Sequence, residues 1–148
     1  MQAFILELEN KPGTFAEAAE KIARKGVNTL AFGLTTDGRG YVGLVGTDDM
    51  STREALDEIR CKYHEVQLLP IQLEHTPGQA AKIARKLADA GINIEFFAPS
   101  GQGTYILGVD RVEEARRILG SQVTTSWGDQ WPRAVAGASQ RTPVASSR

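Results

Sequence analysis

The chain has 148 residues, 41% of them hydrophobic and 24% charged, with a formal net charge of −1. That is room for one ordinary globular domain or two small ones, and it gives no global attraction to nucleic acid or to an anionic membrane. No apolar run reaches the roughly 20 residues of a membrane helix. The opening Met1-Gln2-Ala3 lacks the basic start of a signal peptide, and the lone Cys61 cannot form an internal disulfide, so a soluble protein of the reducing cytoplasm is expected.

Phe4, Leu6 and Leu8 alternate with Ile5, Glu7 and Glu9, the period of a strand with one buried face. A polar loop with Pro12 and Gly13 follows. Phe15, Ala18, Ala19, Ile22 and Ala23 then recur at i, i+3, i+4, i+7 and i+8, the stripe of a helix packing on a sheet. Gly26 suits the left-handed position just past that helix. Residues 27–35 predict a second strand, 36–40 a glycine-rich hairpin turn and 41–45 a third strand. Ser51 and Glu54 have the spacing of a capping box that opens a helix burying Ala55, Leu56 and Ile59. Residues 65–69 predict a fourth strand, and the order is βαββαβ.

The pattern then returns. Pro12 maps to Pro77, Gly13 to Gly78, Ala19 to Ala84, Gly26 to Gly91 and Asn28 to Asn93, each pair 65 positions apart. Ile71 and Leu73 stand where Leu6 and Leu8 stood, and Ala80, Ile83, Ala84, Leu87 and Ala88 repeat the helical stripe. Residues 92–98 and 104–109 predict strands around a turn at 100–103. Asp110 and Glu113 are spaced to cap a helix burying Val112, Ala115, Ile118 and Leu119, and 122–126 predicts a last strand. Units of about 60 residues bury little surface alone. The expected architecture is therefore α+β: two tandem ferredoxin-like βαββαβ domains, residues 1–69 and 70–126, paired as a pseudo-dimer. Residues 127–148, rich in Gly, Ala, Ser, Pro and Arg, predict a mobile tail with Trp127 and Trp131 as candidate anchors.

A strand ending in Asn or Asp, then x-Pro-Gly, an alanine-rich helix, Gly-Val/Ile-Asn and another strand resembles the ACT domain. The matching residues run from Glu9 to Thr14 and from Gly26 to Asn28, then Pro77 and Gly78, and Gly91 to Asn93, within a likeness covering residues 2–126. The resemblance implies modules that bind amino acids or related small effectors where the first loop of one domain meets the second strand of its partner. On this chain it implies a site formed by Asn10, Lys11, Pro12, Gly13, Thr14 and Phe15 facing Asn93, Ile94 and Glu95. A possible second site comprises His75, Thr76, Pro77, Gly78 and Gln79 with Asn28 and Thr29; His75 departs from the Asn or Asp of the family pattern.

The physics of such a site is simple. A helix N-terminus presents unpaired amides and partial positive charge to a carboxylate, Gly13 allows close approach, and Asn10 offers an amide. Strand-end carbonyls or Glu95 would take the ammonium. Charged hydrogen bonds of about 1.5–3 kcal/mol each suggest micromolar to millimolar affinity. The two loops differ. Thr76 and Gln79 form a capping box with Pro77 at the first helical position, which would satisfy the free amides internally. Lys11 replaces Thr76 in the first copy and adds a cation, so the first site is expected to be the better one, although Thr14 and Glu17 also have capping-box spacing.

Other chemistry finds little support. His64 and His75 stand apart from any metal-ligand spacing, and Cys61 on an amphipathic helix has no base beside it. No catalytic set can be assembled, so neither an enzyme nor a cofactor is expected. Arg39-Gly-Tyr41 echoes the strand signature of RNA-recognition motifs, but Gly43 replaces the second stacking aromatic and the basic surround is missing. The expected partner is an amino-acid ligand, with a homodimer or an enzyme regulated in trans beyond it. The alternative is an interaction module whose sheet edge recruits another chain.

Overall fold

The computed structural model describes residues 1–127. The expected tail from 128 onward and Trp131 lie outside the described residues. The elements are β1 (Gln2–Glu9), α1 (Thr14–Arg24), β2 (Thr29–Thr36), β3 (Arg39–Gly46), α2 (Asp49–Glu58), β4 (Lys62–Gln72), α3 (Gln79–Asp89), β5 (Ile94–Gly101), β6 (Thr104–Val109) and α4 (Val112–Leu119). Four helices and an antiparallel six-stranded sheet of order β2-β3-β1-β4-β6-β5 result.

β4 belongs to both repeats. Its first half pairs with β1, from Gln2↔Gln67 to Glu7↔Lys62. Its second half pairs with β6, from Leu68↔Gly108 to Gln72↔Thr104. The expected fourth strand of one unit and first strand of the next are thus a single strand, and position 69/70 falls within it. Its run Leu68-Leu69-Pro70-Ile71 is buried on both faces, which is why it reads as a continuous apolar stretch. The strand expected at 122–126 is reduced to one bridge, Val123 with Ile71, after a 3₁₀ turn at Gly120–Gln122. Thr124 N–H donates to the Pro70 carbonyl at 3.1 Å. Pro70 has no N–H to give back, so the ladder stops there.

Strand alternation sorts the apolar residues into three cores. Phe4, Leu6, Val42 and Leu44 meet Ala18, Ile22, Ala55 and Leu56 under α1 and α2. Leu69, Ile71 and Leu107 meet Ile83, Leu87, Ala115 and Leu119 under α3 and α4. Residues of opposite parity, Ala3 and Val45 from the first repeat with Phe96, Ala98 and Ile106 from the second, form a third core joined by Val66 and Leu68 of β4. The helix-free face of one repeat therefore packs on the helix-free face of the other. Trp127 is partly buried against this third core.

Two expected caps are replaced by neighbours. Asp48, not Ser51, caps α2, accepting the Ser51 N–H at 2.8 Å, while Glu54 turns to Lys25 at 3.4 Å. Asp110 does not cap α4, whose N-cap is Arg111 with no side-chain capping bond. The Asp110 carboxylate instead accepts the Asn93 N–H at 3.0 Å, closing the α3–β5 turn onto the end of β6.

Candidate functional site

The segment between β1 and α1 is built around Gly13. It is the N-cap, with φ 95° and no side-chain capping bond, and the helix starts after it at Thr14. Gly78 holds the same place in the second repeat, with φ 89°. The prolines therefore sit one residue before the caps and not inside the helices. This corrects the expected asymmetry: the Thr76 hydroxyl accepts from the Gln79 side-chain amide at 3.2 Å and caps no backbone N–H. The Thr14 hydroxyl likewise donates away from the helix, to the carbonyls of Glu9 at 2.8 Å and Lys11 at 3.1 Å. The first-turn amides of Phe15 and Ala16, and of Ala80 and Ala81, have no partner among the described residues. Both helices open with bare positive ends.

The cation that Lys11 adds to the loop is engaged. Its ammonium pairs with the Glu9 carboxylate, and their hydrogen bond holds the Glu9 carboxyl below, and the Lys11 ammonium above, their ordinary values. Asn10 donates its backbone N–H to Gly38 at 3.0 Å, across the tip of the β2–β3 hairpin. Its side chain makes no bond with a described residue.

The first loop opens on a groove of roughly 440 Å³. Asn10, Lys11, Thr14 and Phe15 line it; Pro12 and Gly13 shape the loop without lining the space. The opposite wall is Ala31, Gly33 and Thr35 of β2 with Gly40 and Val42 of β3. Sequence reasoning missed this wall, although glycines inside two adjacent strands signal close approach by another group. Phe15 and Leu34 leave 44% and 63% of their surface exposed at its rim.

Asn93, Ile94 and Glu95 do not line this groove. Asn93 is tied to Asp110, and Ile94 pairs with Val109 and packs on the second repeat's own core. The reason is the layer order. Each loop opens onto the helix-bearing face of its own sheet, whereas the repeats meet through their helix-free faces. The same holds in the second repeat: His75, Thr76, Pro77, Gly78 and Gln79 line a cavity of roughly 340 Å³ with Tyr105, but Asn28 and Thr29 do not. Asn28 exchanges backbone and side-chain bonds with Thr47, donating at 3.1 Å to its hydroxyl and accepting at 2.9 Å from its N–H.

The second cavity differs in its floor. Phe97 and Tyr105 stack at 5.2 Å with an interplanar angle of 9°. Across the hairpins Phe97 opposes Leu107 as Ala31 opposes Leu44, so a ring in the second repeat takes the place of a methyl group in the first. The rest of the space there is a separate apolar pocket between Phe97, Ile94 and α3.

The remaining candidates are structural. Cys61 is half-buried, and burial pushes its thiol up, away from the reactive thiolate. The face of β3 that would carry RNA-stacking aromatics is covered: Gly43 lies under the Phe96 ring and Val45 is fully buried. Among the described residues no three His, Cys, Asp or Glu side chains are grouped to hold a metal, and no helix is long and apolar enough to cross a membrane.

No family model and no curated protein matches the sequence. Solved structures do. A protein from Bacteroides thetaiotaomicron is similar at TM-score 0.66 and 19% identity, over 80% of this chain and 85% of that one. Aspartokinase alpha and beta subunits align at TM-score 0.59 and 22% identity, over 80% and 88%. The ligand-free regulatory subunit of aspartate kinase from Thermus thermophilus aligns at 0.54 and 20%, over 80% and 86%. At these identities the likeness is one of fold, and it supports the ACT-domain resemblance carried by the two Pro-Gly helix starts and Gly-Val/Ile-Asn turns.

Proposed function

We propose that the chain is a non-catalytic regulatory protein that binds an amino acid, or a similar small zwitterion, in the groove of the first repeat. The observation that carries this reading is the pair of unpartnered amides at Phe15 and Ala16 beside a groove of roughly 440 Å³, a volume within the usual range for small-ligand sites. The ligand carboxylate would accept from those amides, with Asn10 adding a side-chain donor. Glu9, which lines the same groove, would share its charge between Lys11 and the ligand ammonium. A side chain would lie over Ala31, Gly33 and Gly40.

In this reading the ligand lies within the first repeat and not at the seam between the two. The fused pair is the regulatory unit, and a ligand in the first groove favours one arrangement of the two repeats. Such a shift requires different affinity for the two arrangements. The similarity to regulatory subunits of aspartate kinase motivates an enzyme partner in trans.

Thermal unfolding against each of the twenty amino acids tests the reading. A ligand at about 100 times its Kd adds about 2.7 kcal/mol to native stability. One amino acid should raise the melting temperature of the wild type and not that of Gly13→Asp, which sets a carboxylate beside the open amides. If none of the twenty does so, the proposal is lost.

A second reading draws on β2. This edge strand, Thr29–Thr36, contains no proline and no charge, and Leu34 stands out from it, whereas the other edge, β5, carries Glu95, Pro99 and two register shifts. Natural edges are usually blunted in the second way. An interaction module would recruit a strand here, most simply from another copy of the chain. Light scattering of wild type and Leu34→Lys addresses it: a wild-type monomer removes this reading.

A further inference from the structure

Phe96 has a position that packing of the third core alone does not explain. It sits on β5 of the second repeat, yet its ring lies on the first repeat's Gly43. A Cβ built on Gly43 would fall 2.3 Å from its Cε2 atom. The same ring meets Phe32 edge-on, at 6.3 Å between centroids and 68° between planes. Gly43 follows Val42 on β3, and Phe32 lies between Ala31 and Gly33 on β2. Val42, Ala31 and Gly33 are the floor of the first groove. Phe96 therefore presses on the back of the two strands whose front faces receive the ligand in the reading above.

The next residue points the other way. Phe97 stacks on Tyr105 and borders α3, on the helix-bearing face of the second repeat. Adjacent rings on one strand thus serve the two repeats separately: Phe96 backs the floor of the first groove, and Phe97 lines the apolar pocket beside α3. The seat is narrow on both sides: across the hairpin from Phe96, a Cβ on Gly108 would fall 2.9 Å from the Phe96 Cβ. A side chain with its ring against Gly43 and its Cβ against Gly108 has little room to move without displacing one strand or the other.

We infer that Phe96 is the positioning residue that couples the first groove to the second repeat. It backs the floor of that groove, so that a ligand pressing Ala31, Gly33 and Val42 from the front and the placement of β5 behind them depend on each other. The inference rests on reading the groove as the ligand site, and coupling of this kind is reciprocal by necessity. Residues Gly43 and Gly108 serve it by leaving the space.

Hydrogen exchange on the full chain, combined with the amino-acid panel, is the test. Phe96→Ala should speed amide exchange at residues 31–34 and 41–43 by roughly tenfold or more, with α1 and α3 still protected; Phe96→Leu, which keeps most of the volume but not the ring, should speed it less, and that smaller rise is the reading if the alanine variant does not fold. Phe97→Ala, one residue away and facing the opposite side, should leave those amides unchanged. In the panel, whichever amino acid stabilises wild type should bind Phe96→Ala at least about fivefold more weakly and Phe97→Ala unchanged in the first groove. Unaltered exchange at 31–34 and 41–43 in Phe96→Ala overturns the inference, as does an equal effect of Phe97→Ala. Undiminished binding by Phe96→Ala overturns the coupling while leaving the ligand reading standing. If no amino acid shifts the wild type, the ligand reading fails and coupling to a ligand fails with it, whatever the exchange pattern shows about the packing.

Discussion

The two repeats start their first helices in the same way and yet offer different spaces beneath them. Gly13 and Gly78 have nearly the same backbone angle, and each precedes a first turn with open amides. What separates them is the strand floor. The first repeat presents Ala31, Gly33 and Gly40 to one open groove; the second presents a stacked Phe97 and Tyr105 that leave two smaller spaces, of roughly 340 and 300 Å³. Helix polarity is common to both. Selectivity between the sites therefore belongs to the side chains across from the helix, which set the size and shape of the space beside each positive end.

Exchanging the floors should have the largest effect. Ala31→Phe places in the first groove the ring that Phe97 supplies in the second. Because Ala31 is exposed, stability should change little, while affinity for the amino acid found in the panel should fall by about 100-fold, about 2.7 kcal/mol. Calorimetry reads both numbers, and retained affinity would show that the groove floor does not face the ligand. The reciprocal change, Phe97→Ala, removes a partly exposed stacked ring and should cost about 1–2 kcal/mol of stability. It joins the two smaller spaces, so the bound stoichiometry should rise from one per chain toward two. A stoichiometry that stays at one would locate the difference between the repeats elsewhere, His75 being the next residue to exchange.

The glycine caps sharpen the comparison with a smaller effect. An L-residue at left-handed φ costs about 1–2 kcal/mol, and a Cβ meets nothing within 4 Å at either position. Gly13→Ala and Gly78→Ala should thus lower stability equally in chemical denaturation. Only Gly13→Ala should also weaken ligand binding, by a few-fold, through the tilt of the Phe15 and Ala16 amides. Equal binding by both variants would mean that those amides do not hold the carboxylate.

Much of this was legible before any coordinates. The 65-residue repeat, the helical stripes and the hairpin turns expected within 36–40 and 100–103 all follow from local chemistry, although the structure narrows those turns to Asp37-Gly38 and Gln102-Gly103; so does β6, whose limits match expectation. Three features were not. Thr76 and Gln79 have capping-box spacing, but a positive-φ glycine at the cap moves the helix start beyond Pro77 and leaves their side chains bonded to each other. β4 reads as two strands because the repeat suggests a boundary that its hydrogen bonding ignores. The faces of Phe96 and Phe97 depend on a register shift between Ile94 and Phe96; Ile94 packs on the second core and Phe96 on the third, although strict alternation would put both on one face. An extra residue in a strand reverses every face after it, and no composition signal marks this one. The wall opposite the loop was missed for the related reason that the family pattern directs attention to the sister repeat, while the layer order places each loop against its own strands.

Acid should separate the repeats by the smallest margin. In the first, Glu58 on α2 takes hydrogen bonds from Lys21 and Lys25, which hold its carboxyl down to about 2. Those bonds tie α2 to α1 and its neighbour Lys25 at the helix end. Glu7 and Glu65 are likewise depressed, by hydrogen bonds first from Lys62 and from Arg53. In the second repeat the helix ion pairs, Arg85 with Asp89, Arg111 with Glu114 and Arg116 with Glu113, span three or four positions and join no two helices. A carboxylate whose folded pKa lies below its unfolded value contributes stability above the unfolded pKa, and that contribution fades as pH falls toward the folded one. For Glu58 the window runs from about 4.5 down to about 2. Being solvent-exposed, these pairs are weak singly, so the expected outcome is local: between those limits the amides of α1 and α2 lose exchange protection before those of α3 and α4. Glu58→Gln should remove most of that difference by weakening the α1–α2 tie at neutral pH as well. Simultaneous loss in all four helices would instead mean that the third core binds the repeats into one cooperative unit whose acid response the surface pairs do not set.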